Sequence, residues 1–484
     1  MLPALCSADA FSYPSIPGAQ VLPLEASYKS NVSEFIPEFY YYNHGNVMAQ
    51  NVDFCNVTVT YQHLEKKDTV RVGGISGNGY TAGFTSTTEK GMVGAVAEGY
   101  VAVTTDSGHT GTGVLTDNPS DWAFLSDGGL DYDSIEDLAS LSMNDAALFA
   151  KSLALSVYGS EPRYSYWTGC SQGGRQGLML AQKYPGLYDG IEHDTYPYPC
   201  EIDAVVAAAT SACDVADGLI DGIVSDPYSC AFDPFTTVGT KINCSDTGTQ
   251  RRISNATVQV VNASWTGPRD SDGQFLWYGY NMGAVLTGSN GVAATECSKN
   301  STVGCVGAPS ALFLDWLEVF VEQDQDFSLD NITTRADYDF IYKKSLQQWR
   351  SVLGTNNPDL SEFRNAGGKM LTYHGLMDET IPSRGSRYYY DAVRAQDSEA
   401  QDYYRFYEAP MMGHCYGSSG GYPSTIFDSV VAWVENGTVP ESLPVSYTPK
   451  NGKTYDRILC PYPQRVHYDG TGNVTLAGSF YCAE

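Results

Sequence analysis

The 484-residue chain has no apolar tract long enough to span a bilayer, no cysteine pair at C-x-x-C spacing, no internal repeat and no low-complexity linker. The first absence excludes a membrane segment, and the second argues against structural zinc and thiol redox motifs. Basic residues are scarce. Lys and Arg number 28 against 56 Asp and Glu, a formal charge of −28. The acids are spread along the chain, so this is a solvated acidic surface that phosphate backbones and anionic headgroups would repel. Neither nucleic acid nor membrane is an expected partner. Histidine is scarcer still, with seven in all.

What is present describes a globular protein: 42% hydrophobic, 17% charged and long enough for roughly two to four units. Twelve cysteines, an even number, accompany nine N-x-S/T sequons, at Asn31, Asn56, Asn243, Asn255, Asn262, Asn300, Asn331, Asn436 and Asn473. Together they favour an oxidising, secretory history and an extracellular location. The start, Met1 to Cys6, lacks a basic n-region and a full apolar h-region, so a signal peptide is expected to be absent from this sequence.

Residues 56–62 alternate as a half-buried strand, and a Gly-rich loop is expected over Gly73–Gly79. Tyr100–Thr105 reads as a buried strand, and apolar residues at helical spacing follow over 141–157. Tyr164–Thr168 is a β-prone run that stops at Gly169, and a helix is expected over Arg175–Tyr184. Strand, tight Gly turn and helix are the punctuation of a parallel α/β sheet. It returns with strands over Lys369–Tyr373 and Tyr403–Tyr407 and an amphipathic helix over Ile426–Asn436. Between about 196 and 345 that rhythm weakens while cysteines and sequons cluster. The expected organisation is a catalytic domain of residues 1–195 and 346–484 with a lid domain, 196–345, inserted into it.

Gly169-Cys-Ser-Gln-Gly173 fits G-x-S-x-G. That spacing lets Ser171 occupy a strained strand-to-helix turn, because side chains two before or two after it would clash. The helix that follows offers N–H groups and a favourable dipole to a developing oxyanion. A serine hydroxyl needs a base, and the base an orienting carboxylate. In α/β-hydrolases the order is Ser, acid, His. Asp378 lies in the loop after one expected strand, with Glu379 its nearest substitute, and His414 follows the next strand. The expected fold is therefore an α/β-hydrolase with an inserted lid. Cys170 precedes the serine and Cys415 follows the histidine. If Ser171 and His414 meet at hydrogen-bond distance, these cysteines could reach the roughly 5–6 Å Cα separation of a disulfide.

Asp214, Asp217, Asp221 and Asp226 fall within thirteen residues, with Gly218 and Gly222 between them and Cys213 and Cys230 on either side. If the backbone turns tightly, Asp214, Asp217 and Asp221 converge with the carbonyls of Leu219 and Ile223 into an oxygen shell suited to Ca²⁺. The spacing is not that of an EF-hand, and a plain acidic turn is the alternative.

Cys-Ser at 170–171, His-Cys at 414–415 and this aspartate loop together resemble the fungal tannase and feruloyl esterase family. So do the stretches Asp53–Tyr61, Tyr196–Cys200 and Gly169–Gly177. The resemblance implies a triad of Ser171, Asp378 and His414 beside a Cys170–Cys415 disulfide. It implies a structural lid calcium held by Asp214, Asp217 and Asp221 with the Leu219 and Ile223 carbonyls. It also implies oxyanion donors from the Gln172 N–H and from Gly77 or Gly79, and the pairs 6–55, 200–244, 213–230, 297–305 and 460–482. The implied activity is serine esterase hydrolysis of feruloyl or coumaroyl esters on plant polysaccharide, with no organic cofactor. Galloyl esters, as for a tannase, an inactive phenolic- or sugar-binding glycoprotein, and a peptidase on the same scaffold are the rivals. The chain departs from the family between Gly190 and Cys200, where the segment is shorter than is usual.

Overall fold

The computed structural model describes residues 6–484 except 13–14, 42, 65, 67, 77–80, 85–88, 110–118, 161, 183–195, 218, 289–290, 298–304, 411, 416–419 and 449–451. It divides into two compact units, residues 1–186 with 348–357, and residues 187–347 with 358–484. The segment expected as a lid thus groups with 358–484. No described helix is long and apolar enough to cross a membrane.

The first unit is built on a seven-stranded sheet. Its strands are β1 (Ala19–Val21), β2 (Glu25–Ile36), β3 (Val47–His63), β4 (Val70–Ser76), β5 (Thr81–Phe84), β6 (Tyr100–Thr105) and β7 (Ser165–Trp167). The order is β1-β3-β4-β6-β5-β7, with β2 also on β3. The β3–β4 and β4–β6 pairings are antiparallel, and β5 runs parallel to both β6 and β7. Parallel neighbours need crossovers, and the helices supply them: α1 (Glu89–Ala97) between β5 and β6, and α2 (Ser142–Tyr158) between β6 and β7. They cover opposite faces. Val101 and Val103 of β6 join the cluster of Phe149, Ala150 and Leu153, whereas Ala102 joins that of Met92 and Val93. This is the period-two alternation of a strand buried on both sides.

One expectation is corrected here. Gly73 to Ser76, expected in a loop, belongs to β4. A Cβ on Gly74 would lie 2.7 Å from Leu153 and 3.1 Å from Phe149. The glycine marks close approach of α2 to the sheet rather than a turn.

The second unit holds a parallel pair, β8 (Met370–Gly375) and β9 (Tyr404–Ala409), in register from Met370–Tyr404 to Gly375–Ala409. Helix α3 (Ser383–Gln396) joins them. Tyr407 and Ala409 pack with Ile426 of α4 (Ile426–Asn436) and with Leu443, Val445 and Leu459 of an antiparallel ribbon. Earlier in the same unit, helices at Pro199–Cys213 and Asn255–Thr266 share a core of Ile202, Val205, Val258 and Val261. The Cys6–Cys55 disulfide staples the first unit, and 200–244, 213–230, 297–305 and 460–482 staple the second. All five are the implied pairs. Among the described residues no cysteine is free.

Candidate active site

Ser171 is exposed and adopts φ 55°, a left-handed conformation that costs a non-glycine residue energy. It lies four residues beyond β7 and one residue before the helix Gln172–Gln182. The helix starts earlier than the expected Arg175 because the turn itself feeds it: Gly173 N–H donates to Cys170 O at 2.8 Å, and Arg175 N–H to Ser171 O at 2.9 Å. Glycine is required on both sides of the serine. A Cβ on Gly169 would sit 2.7 Å from the Gly173 carbonyl carbon, and one on Gly177 2.7 Å from Trp167 Cδ1. Trp167 Nε1 donates to Gly173 O at 2.9 Å and ties strand to helix. Gln172 opens the helix, so its N–H has no intrahelical acceptor. Gly77 and Gly79 lie outside the described residues.

In the second unit Asp378 and His414 meet. Asp378 follows β8, and His414 follows β9. The two loops are clamped by Leu376 N–H to Ala409 O at 2.9 Å and Met377 N–H to Met412 O at 3.0 Å. A Cβ on Gly375 would lie 2.3 Å from Met412 O, so only glycine permits that approach. His414 Nδ1 stands 2.9 Å from Asp378 Oδ2. Asp378 Oδ1 accepts from Thr380 N at 2.8 Å and Ile381 N at 2.7 Å, which fixes the carboxylate from its own loop. Burial pushes the Asp378 carboxyl up, but hydrogen bonds and charge from His374 and His414 outweigh it and hold it well below the usual carboxylate range. Burial lowers His414, and Asp378 and Glu379 more than reverse that, so its pKa is raised. Glu379 also accepts the His414 backbone N–H at 3.1 Å. The arrangement is an imidazole whose Nδ1 proton is committed to a carboxylate, leaving Nε2 to act as a base. Sequence reasoning gave His374 no role. Its spacing of four residues from Asp378 was the one available signal.

Asp214 Oδ1 accepts from the backbone N–H groups of Asp221, Gly222 and Ile223 at 3.2, 2.9 and 3.1 Å. Asp221 Oδ2 is 3.0 Å from Arg457 Nη2. The Asp217 side chain and Gly218 lie outside the described residues. The donor set of carboxylate and carbonyl oxygens fits a hard cation. Asp221 Oδ1 accepts from the Ile223 N–H at 3.2 Å.

The sequence profile described as "Tannase and feruloyl esterase" matches residues 63–195 and 191–483. A probable feruloyl esterase of Arthroderma benhamiae is 33% identical over 517 aligned positions, covering 97% of this chain and 92% of the relative. A mono(2-hydroxyethyl) terephthalate hydrolase of Piscinibacter sakaiensis is 28% identical, covering 85% of this chain and 78% of its own. Among solved structures, a tannin acyl hydrolase from Aspergillus niger superposes with a TM-score of 0.84 at 26% identity, covering 100% of this chain and 96% of the other. The two matched segments overlap at 191–195.

Proposed function

This chain belongs to the tannase and feruloyl esterase family, and on that premise we propose that it hydrolyses phenolic carboxylic esters with Ser171 as nucleophile, His414 as base and Asp378 as orienting acid. An α/β-hydrolase-like fold with residues 196–345 as lid carries the site. The observation that supports this reading most is the 2.9 Å His414–Asp378 pair, set on adjacent loops after parallel strands. In the proposed reaction the Ser171 hydroxyl attacks the ester carbonyl and its proton passes to His414 Nε2. Asp378 stabilises the imidazolium, and the Gln172 N–H, with Gly77 or Gly79, receives the oxyanion. Collapse breaks the acyl–oxygen bond, and the alcohol leaves with the proton from His414. Water then attacks the acyl-serine with His414 again as base, releasing the acid and free Ser171.

The three compared relatives are named for feruloyl, terephthalate and tannin esters, all of aromatic acids. A feruloyl or coumaroyl group on plant polysaccharide is the proposed substrate. The superposition on a tannin acyl hydrolase keeps the galloyl ester as second reading. We also propose a Cys170–Cys415 disulfide, since the other ten cysteines pair among themselves and none is free. Five bridges support a secreted protein. In the 214–223 loop, Asp214, Asp217 and Asp221 with the Leu219 and Ile223 carbonyls would hold calcium, which would brace the loop.

The test is hydrolysis of methyl ferulate, methyl gallate and a feruloylated oligosaccharide by the wild type beside Ser171→Ala. Ferulate turnover that vanishes in the variant is expected. Gallate turnover alone would replace the substrate proposal, and turnover that survives Ser171→Ala would overturn the nucleophile. A melting temperature unchanged by a calcium chelator would remove the calcium.

A further inference from the structure

Asp378 Oδ2 faces two imidazoles. His374, the penultimate residue of β8, places Nε2 3.1 Å from that oxygen and 3.1 Å from the Ile381 carbonyl oxygen. Its Nδ1 stands 2.8 Å from Ser386 Oγ. Both neighbours of Nε2 only accept, so Nε2 carries the proton and Nδ1 accepts from the Ser386 hydroxyl. Three partners from the loop and from α3 thus lock the ring, whose side chain is 12% exposed.

We infer that His374 is a positioning residue for the acid–base pair: its Nε2–H fixes the plane of the Asp378 carboxylate and shares that carboxylate's charge between two imidazoles. The inference rests on the triad reading above and adds a residue to it. The Thr380 and Ile381 N–H groups hold Oδ1. The His374 donor holds Oδ2, so both oxygens of the carboxylate are fixed. Unlike His414, this donor takes no part in proton transfer, so the carboxylate stays aimed in every step of the cycle. Hydrogen bonds to an ionised acceptor are the strong ones. Removing one also concentrates the carboxylate's charge on the other imidazole, which favours its protonated form.

Among the described residues, the titratable groups facing His414 are Asp378 and Glu379. Asp378 in turn is faced by His374 and His414. Tyr373 donates its hydroxyl to the Cys415 carbonyl at 3.0 Å, beside His414 but not on its ring.

The test compares His374→Ala, →Gln and →Asn in the full chain. The alanine variant is expected to lose about 10²-fold in kcat with KM within about twofold, the scale of a small misplacement. Its His414 pKa, followed by NMR of the imidazole protons, should rise by roughly half a unit. Glutamine sets an amide N–H where Nε2 was and should recover to within about tenfold, whereas asparagine, whose amide falls at the Nδ1 position, should not. An alanine variant within about twofold of wild type, or equal Gln and Asn variants, would overturn the inference. The NMR titration needs no turnover. An unmoved His414 in a folded variant therefore sinks the inference even if the wild type hydrolyses nothing, and that last result would sink the esterase reading by itself.

Discussion

Gly169→Ala puts a methyl group where the elbow has no room. The new Cβ would lie 2.7 Å from the Gly173 carbonyl carbon and 2.8 Å from its oxygen, whereas comfortable carbon contacts begin near ~3.5 Å. The two sides of the turn must therefore part by roughly 0.8 Å. Neither side can swing away freely. Gly173 O is held by Trp167 Nε1 at 2.9 Å, and Gly173 N by Cys170 O at 2.8 Å. Overpacking of this kind costs about 1–3 kcal/mol, which in a chain this long lowers the melting temperature by a few degrees. Ser171 sits between the two parting residues and inherits much of the movement. A misplacement of that size costs about 10–10²-fold in kcat. The assay is methyl ferulate hydrolysis and fluorophosphonate labelling rate, each beside a thermal melt. Gly478→Ala is the control, because nothing lies within 4 Å of its Cβ. A Gly169→Ala protein within about twofold of wild type in both rates would refute the elbow as the device that aims Ser171.

The pH profile follows from His414, which works as a neutral base. Asp378 and Glu379 raise its pKa, so kcat/KM should fall on the acid side through a midpoint above the ordinary ~6.5. Glu379→Gln should move that limb down by about half a unit, and a limb that stays or moves up contradicts the assignment. Asp137 is fully buried. Burial first, and the Asp68 charge next, push it up to about 8. Its folded pKa exceeds the unfolded ~3.9, so the stability present below that value is lost as pH rises through about 8. Asp137→Asn should flatten the decline in urea midpoint between pH 5 and 9, and equal slopes would contradict it. Glu201 is 1% exposed and accepts from Arg251 Nε, Ser254 N and Thr257 Oγ1 at 2.8, 2.9 and 2.8 Å. Glu201→Ala should cost about 3 kcal/mol by urea unfolding, and a loss below about 1 would mean the network holds nothing.

Elements that announce themselves locally were legible. Tyr100–Thr105 and Ile426–Asn436 form with the expected bounds, because an apolar run and an amphipathic period need no distant partner to be recognised. Asp378 and His414 were found by chain order and the count of histidines, and the structure brings them together. What failed depended on distant packing. Gly74 looks like a loop residue until Leu153 and Phe149 press on it. The long strand β2 is mostly exposed, so its burial alternates too weakly to stand out. His374 is silent because its meaning lies in a loop that folds back on the strand it ends.

The central claim is that a single serine hydroxyl is activated, and stoichiometric phosphonylation tests it most directly. After reaction with a fluorophosphonate and proteolysis, mass spectrometry should find one adduct per chain, on the peptide bearing Ser171. Ser171→Ala should carry none. A folded wild type that takes up no label, or takes it on another residue, would contradict the account.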